Sequence, residues 1–276
     1  ENDAMKKYLA GGFIGGGNMA EALIKGVITA NLYASENVFV SDIRTDRLEF
    51  LTNRYGVTAC KTNSEVAAKV DTLVLSVKPQ TMNEALDSIK DAVGGETLII
   101  SIVAGIKAAK IAGVLGNVPI VRVMPNTPAL IGEGASALFA NERAKDLLER
   151  AMSIFSAVGK AVIVDNEDLI DVVTAVSGSG PAYFFLLMEE MIKAGVEMGL
   201  PQTVAKDLVL QTARGAGLLA AQADQNGESP AVLRQKVTSP GGTTAAALKV
   251  FAEGNLSKLI AAALTKARDR ARELSS

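Results

Sequence analysis

The sequence contains no histidine. That removes the commonest general base and the commonest metal ligand. Dehydrogenases that deprotonate an alcohol through histidine are therefore excluded. Cysteine is nearly absent too, with Cys60 alone, so no internal disulfide can form and ordinary zinc sites are excluded. No metal is expected. A lone cysteine suits a reducing compartment, and a cytoplasmic setting is expected. Proton chemistry must come from lysine, tyrosine, serine or threonine, a carboxylate, water or the substrate itself. No run of about 18 or more apolar residues is unbroken, so no membrane-spanning helix is expected. The first residues lack the charged-then-apolar-then-small pattern of a secretory leader. There is no basic block and the net charge is −2, which argues against nucleic acid as a main partner.

The chain has 276 residues, 49% of them hydrophobic and 21% charged. That is long for one core and suits two domains. The stretch around which it is organised is YLAGGFIGGGNMA, residues 8–20. A short apolar run leads into Gly15, Gly16, Gly17, Asn18, Met19 and Ala20, which fits G-x-G-x-x-A, and a helical pattern follows. The first glycine permits a tight strand-to-helix turn. The next lets backbone approach a pyrophosphate where a Cβ would clash, and the alanine keeps helix and strand close. The helix start offers free N–H groups and a positive dipole end to phosphates. An acidic residue, Asp42, closes the next apolar run after Ser41. A glycine turn that serves only packing is the plainer reading; the strand before it and the helix after it favour a dinucleotide.

Further along, strands are expected over 8–14, 37–42, 71–77, 97–103, 120–123, 135–140 and 161–164. Helices are expected over 18–30, 46–55, 81–93, 107–115 and 141–158, with a short one beginning at Asn63. The runs DTLVLSV and TLIISIV are near-continuously apolar and β-branched, as buried parallel strands require. The alternation argues an α/β fold with a doubly wound, Rossmann-type sheet. Ligands of such sheets sit beyond the carboxyl ends of the strands, where Lys78-Pro79 and Ala104-Gly105 fall. The loop RVMPNTPALIGE, residues 122–133, also follows a strand's carboxyl end and carries polar side chains.

Strand signals stop after Asp165. Residues 1–166 are taken as the dinucleotide-binding domain, and 167–276 as an all-α domain for dimerisation and substrate binding. Within AYFFLLMEEMIKAGVEM, residues 182–198, the polar stripe is narrow: Glu189, Lys193 and Glu197, with Glu190 beside it. Such a helix must be buried on most sides. A domain of this size cannot cover it alone, so an intimate dimer is expected. Ser177-Gly178-Ser179-Gly180-Pro181 is expected to interrupt the helical pattern, with Pro181 opening a new helix.

A second glycine loop, VTSPGGTT, residues 237–244, lies between two helical stretches. Ser239, Thr243 and Thr244 supply hydroxyls, and Gly241-Gly242 expose backbone N–H groups at a helix start. That makes an anion site of carboxylate size. An ordinary capped helix start is the alternative; beside a cofactor domain that lacks histidine, a substrate carboxylate is the better reading.

Taken in order, FIGGGNMAEALIKG, LSVKPQ, SIVAGI, RVMPNTPALIGEG, VTAVSGSGPAYFF and VTSPGGTTAAAL closely resemble the motifs of Δ1-pyrroline-5-carboxylate reductases. The resemblance runs from about Met5 to Leu274, and its last two motifs are the most specific. It implies hydride transfer from NADPH or NADH to L-1-pyrroline-5-carboxylate, giving L-proline, the last step of proline biosynthesis. A cyclic imine of this kind is substantially protonated near neutral pH, so the missing histidine is no obstacle; positioning and electrostatics suffice.

The resemblance further implies that Ser239, Gly241, Gly242, Thr243 and Thr244 hold the substrate carboxylate. Thr244 is placed to hydrogen-bond the ring nitrogen and is the first choice for a polar catalytic role, ahead of Lys78. Gly15, Gly16, Gly17, Asn18, Met19 and Ala20 hold the pyrophosphate, while Asn63, Lys78, Pro79, Ala104 and Gly105 line the cofactor site. Ser41, Asp42, Arg44 and Arg47 border the adenosine ribose. Asp42 would accept hydrogen bonds from an NADH ribose; Arg44 and Arg47 would bind the 2′-phosphate of NADPH. NADPH is expected to be accepted, without exclusivity. The family implies a homodimer through the helical domain, in some members assembled into a ring of dimers, with the active site where the two domains meet.

Two other readings stand beside this one. A related imine or β-hydroxy-acid reductase would rely on a lysine in the helical domain; Lys193 is better explained as the ion-pair partner of Glu189 and Glu197. A non-catalytic nucleotide-binding module has no evident need for the VTSPGGTT loop.

Overall fold

The structure is a computed structural model that describes residues 9–275. Among these, eight strands form one sheet: β1 (Gly11–Ile14), β2 (Val38–Ser41), β3 (Thr58–Ala59), β4 (Thr72–Leu75), β5 (Leu98–Ser101), β6 (Ile120–Met124), β7 (Gly134–Ala140) and β8 (Gly159–Ile163). Their order is β3-β2-β1-β4-β5-β6-β7-β8. All neighbours are parallel except the antiparallel pair β6–β7. The chain winds outward from β1 to β3, then returns to place β4 on the other side of β1. The order therefore reverses between β1 and β4, and ligands of open α/β sheets bind beyond the strand ends at such a point. Residue 8 of the expected first strand lies outside the described residues.

The helices that flank the sheet are α1 (Asn18–Thr29), α2 (Thr45–Tyr55), α3 (Asn63–Ala67), α4 (Met82–Asp87), α5 (Ala108–Leu115) and α6 (Leu148–Ser156). Alternate strand residues point to opposite faces. Phe13, Val40, Val74 and Ile100 pack with Leu23 and Val27 of α1 and Phe155 of α6. Ile14, Leu73, Leu75 and Ile99 pack with Val66, Leu86 and Ile111 on the other side. Burial of both faces explains why these strands read as unbroken apolar runs rather than alternating ones. The helix expected over 141–158 begins as a 3₁₀ turn, Glu142–Leu147, before α6. Gly56 ends α2 in the left-handed conformation, φ 70°, the geometry glycine adopts without strain.

After the sheet come α7 (Leu169–Val173), α8 (Gly180–Glu197), α9 (Gln202–Asp224), α10 (Pro230–Lys236), α11 (Thr243–Glu253) and α12 (Leu256–Ser275). The interruption expected at Ser177–Pro181 is present, although mild: α7 gives way to a π-helical turn, Thr174–Gly178, Ser179 is a bend, and α8 starts at Gly180 with Pro181 in its first turn. Leu169–Glu197 still continues as one long helical segment. Pro181 lacks the N–H that would bond Ser177 O four residues back. That carbonyl instead accepts the Asn126 Nδ2–H at 3.1 Å, which removes the cost of an unpaired buried group.

By packing, the chain forms two compact units. One extends to Pro181 and includes the chain from Lys266; the other is Ala182–Thr265. The division read from the sequence at 166–167 follows the change from strands to helices, and the division by packing falls later. The helical unit has almost no core of its own. Among the described residues its buried hydrophobic side chains are Ala205 and Ala223, while Phe184, Phe185, Leu186 and Leu187 are each more than half exposed. The stripe Glu189–Lys193–Glu197 does not pair as expected: among the described residues none of the three takes part in an ion pair. The run Leu169–Glu197 is also long and apolar enough, by length and composition alone, to cross a membrane.

One glycine sets the approach of the last two strands. Gly159 opens β8 with φ 147°, and a Cβ there would lie 2.0 Å from Gly134 O. Gly159→Ala is expected to lower unfolding stability by about 1–3 kcal/mol or more, from backbone strain and overpacking together. Urea midpoints of the two proteins check this, and an unchanged midpoint would show that β7 and β8 separate freely.

Candidate active site

The glycine turn is built by its neighbours. Gly15 has φ 92°, and a Cβ on it would lie 2.8 Å from Ser76 O. Its N–H donates to Ser41 O at 2.8 Å. The Ser76 hydroxyl donates to Gly15 O at 2.7 Å and to Ile14 O at 3.0 Å, so β4 holds the turn from one side. A Cβ on Gly16 would meet Leu51 Cδ1 at 2.9 Å. Gly17 differs: a Cβ there would meet nothing within 4 Å. Gly17 is the N-cap of α1 and carries no side-chain cap. Ala20 is buried against the sheet. One side of the turn is thus packed and the other is bare, with uncapped helix N–H groups beside it. This suits a pyrophosphate.

Around that turn lies a charged frame. Arg47 Nε donates to Gly16 O at 2.5 Å, and its Nη2 reaches Gly17 O at 3.5 Å and Glu21 Oε2 at 2.5 Å. The guanidinium also lies 4.9 Å from the Phe50 ring centre. Tyr55 Oη donates to Glu21 Oε1 at 2.8 Å. Burial pushes the Glu21 carboxyl up, but the hydrogen bonds from Arg47 and Tyr55 outweigh it and hold the group below its ordinary value. Arg47 is therefore engaged with the turn itself, a role the sequence did not suggest. Glu21, Tyr55 and Ser76 went unnoticed in the sequence; only an acidic residue in the first turn of the helix after the glycine turn gave any signal.

The end of β2 is also ordered. Asp42 accepts the Gly16 N–H at 2.6 Å on one oxygen and the Arg44 N–H at 2.9 Å on the other. Arg44 itself is exposed and paired with Asp46 at 2.5 Å. The buried Ser41 hydroxyl donates to Asn63 Oδ1 at 2.7 Å, and Asn63 Nδ2 donates to Ser88 Oγ at 2.9 Å. Ser41 and Asn63 thus brace the end of β2 together. Beside them a cavity of about 580 Å³ is lined by Asp42, Ile43, Leu48, Thr52, Cys60 and Lys61. Burial pushes the Cys60 thiol up, which leaves it unreactive.

Lys78 and Pro79 lie exposed just past the end of β4, where Pro79 opens a 3₁₀ turn. Ala104 is exposed past the end of β5. Gly105, at φ 74°, is closed off differently: a Cβ there would lie 2.6 Å from Leu274 O, near the end of α12. Ser275 Oγ donates to Asp171 at 3.3 Å. Asp171 and Glu167 flank the buried Arg122, at 3.8 and 3.2 Å, so an ion-pair cluster ties β6 to the start of α7.

The second glycine loop belongs to the helical unit. Gly241 has φ 72°, and the Gly242 N–H donates to Ser239 O at 3.0 Å. Gly242 is the N-cap of α11 and carries no side-chain cap. Thr238 caps back onto Arg234 O. Among the described residues no side-chain hydrogen bond is made by the hydroxyls of Ser239, Thr243 or Thr244. The eleven-residue helix thus starts without a side-chain cap beside three uncommitted hydroxyls, an arrangement that suits an anion.

A glycine turn bare on its ligand side, at the switch point of a doubly wound sheet, defines a dinucleotide-dependent oxidoreductase with an appended helical domain. Residues 11–105 match the family described as NADP oxidoreductase coenzyme F420-dependent, and 167–274 match that described as pyrroline-5-carboxylate reductase dimerisation. A pyrroline-5-carboxylate reductase of Pseudomonas aeruginosa is 44% identical over 95% of this chain and 95% of its own; one of Haemophilus influenzae is 39% identical over 95% and 96%. The solved structure of a pyrroline-5-carboxylate reductase from Coxiella burnetii has 40% identity and a TM-score of 0.92, covering 98% of this chain and all of its own. That of the Plasmodium falciparum pyrroline carboxylate reductase with NADP bound has 30% identity and a TM-score of 0.85, covering 98% and 99%. The chain belongs to the pyrroline-5-carboxylate reductase family, as its motifs led one to expect.

Ionised Glu21 supplies a pH-dependent part of the stability. Its folded value is depressed, so the contribution is complete above the ordinary value of 4.5 and is lost as pH falls through the lower folded value. Wild type is expected to exceed Glu21→Gln in stability at pH 6, and the gap to close in the acid range below 4.5. Denaturant midpoints of both proteins across pH 3–6 measure it; a gap constant with pH would mean that Glu21 is not held by its charge.

Proposed function

We propose that this chain reduces L-1-pyrroline-5-carboxylate to L-proline with NADPH or NADH, closing proline biosynthesis in the cytoplasm. The observation that carries the reading is the pairing, in one chain of this family, of a glycine turn left bare for a pyrophosphate with an uncapped, hydroxyl-lined helix start suited to a carboxylate. The dinucleotide, when bound, supplies the hydride. The chain's own residues bind, orient and supply polarity.

The N–H groups at the start of α1 take the pyrophosphate. Lys78, with Pro79 and Ala104 at neighbouring strand ends, lines the cofactor site and favours its negative charge. Asn63 and Ser41 act by bracing β2, and Gly105 by admitting the end of α12. Asp42 faces two ways: its oxygens hold the Gly16 and Arg44 N–H groups, yet each retains a lone pair for a ribose hydroxyl. Arg44 is then the residue for a 2′-phosphate, in exchange for its exposed partner Asp46. Such a pair is weak, so the chain accepts NADPH without refusing NADH.

Ser239, Gly241, Gly242 and Thr243 hold the substrate carboxylate, and Thr244 hydrogen-bonds the ring nitrogen. The imine arrives protonated and already electrophilic, so no strong side-chain acid is needed. This agrees with a chain that has no histidine. Steady-state oxidation of NADPH and of NADH with the imine acid, with proline measured as product, tests the reaction. Thr244→Ala is expected to lower kcat/KM about tenfold to a thousandfold, one polar contact worth roughly 1.4–4 kcal/mol. Cofactor affinity should hold; unchanged turnover would remove Thr244 from the mechanism.

The chain works as a homodimer through Ala182–Thr265, and rings of such dimers are the further assembly we assign. Consecutive helical residues step about 100° apart. Four successive exposed apolar residues, Phe184 to Leu187, therefore leave no side of the helix for water. A second copy covers them better than lipid does, because exposed Glu189, Glu190 and Lys193 follow within two turns. Sedimentation at micromolar concentration without detergent is expected to give dimers or multiples of them, and Leu187→Glu to give unfolded or aggregated protein. A stable, folded wild-type monomer would contradict the assignment.

A further inference from the structure

We propose that Arg47 is a positioning residue for the dinucleotide, setting the direction of the phosphate-binding N–H groups and cancelling the charge of Glu21 beside them. The proposal rests on the reading that Gly15–Ala20 hold the pyrophosphate.

A trans peptide is planar, so its C=O and N–H point in opposite directions. Arg47 draws Gly16 O to its Nε. Gly17 O, which Nη2 reaches at 3.5 Å, is held chiefly by the first bond of α1, from the Glu21 N–H at 2.9 Å. The partner N–H groups of those two peptides are those of Gly17 and Asn18. The first is thereby turned away from Arg47 and the second is aligned by the helix, and neither has a partner among the described residues. The preceding N–H, of Gly16, is already taken by Asp42. The frame therefore consumes the polar groups on its own side and leaves the ligand side free. Glycine carries no side chain to fix these peptides, so three in succession need an outside tether.

The second task is electrostatic. Glu21 lies in the first turn of α1, where a carboxylate competes with a bound phosphate for the same dipole end. Arg47 Nη2 meets it at 2.5 Å, with side chains 17% and 20% exposed, and Tyr55 Oη occupies its other oxygen. With Arg47 removed, an unpaired carboxylate would stand beside a pyrophosphate.

This role separates from 2′-phosphate binding by what it does to the two cofactors. Fluorescence titration with NADH and with NADPH gives Kd for wild type, Arg47→Met, Arg47→Lys and Gly17→Val, and thermal melts report folding. Arg47→Met is expected to weaken both cofactors by about tenfold or more, leaving their ratio within about twofold. KM for both cofactors should rise with it, while KM for the imine acid stays. Arg47→Lys, which keeps the charge without the fork, falls between. Adding Glu21→Gln to Arg47→Met should recover part of the loss for both cofactors, a response that a packing defect would not give. Loss of NADPH alone would overturn the proposal in favour of a 2′-phosphate ligand. Wild-type binding in Arg47→Met while Gly17→Val fails would overturn the proposal and spare the loop reading; wild-type binding in Gly17→Val would overturn both. If Arg47→Met does not fold, Arg47→Lys decides by the same ratio of the two cofactors.

Discussion

The turn between β1 and α1 has to be rigid without being filled. Three glycines give the backbone its path, and the same absence of side chains leaves nothing in the turn to hold it. Rigidity is supplied from outside: Ser76 from just past β4, Asp42 from just past β2, and Arg47 from α2. These supports come from the elements that meet at the switch point of the sheet, so strand order and the cofactor turn are one constraint. A sheet wound in another order would bring other strand ends to the glycines.

The helical unit answers the opposite problem. Its sequence is apolar enough for a core, yet the chain folds upon itself so little there that two alanines account for its buried hydrophobic side chains among the described residues. A unit of that kind is half of a core. In the homodimer proposed above, stability and assembly are inseparable, and the exposed apolar face of α8 is what a second copy would cover.

The sheet was legible because burial on both faces leaves a plain signature in sequence. DTLVLSV and TLIISIV became β4 and β5 with their ends trimmed by a residue or two. The glycine turn was legible for a similar local reason. What escaped was pairing at a distance. Arg47 was read only for its charge near Asp42; that it also turns back to Gly16, 31 residues earlier, depends on how α2 packs. Pro181 shows both sides of this limit: it does sit in the first turn of a new helix, as read, but the use of Asn126, 51 residues from Ser177, to satisfy the carbonyl left free was not readable. Lys193 fails in the other direction: an i,i+4 spacing permits an ion pair, and exposed side chains lose more rotamer freedom than they gain by making one.

The missing histidine ties these observations to chemistry. An alcohol dehydrogenation needs a base at the carbinol and cannot be run by serine and threonine hydroxyls at neutral pH. A protonated imine carries its activation with it. An enzyme for that substrate requires a held carboxylate, a held hydride donor and a polar contact at nitrogen. None of these calls for a group that titrates near pH 7. A chain free of histidine, with a bare glycine turn at one helix start and uncommitted hydroxyls at another, suits that reaction, whereas its alcohol counterpart would need a lysine, tyrosine or carboxylate set at the carbinol.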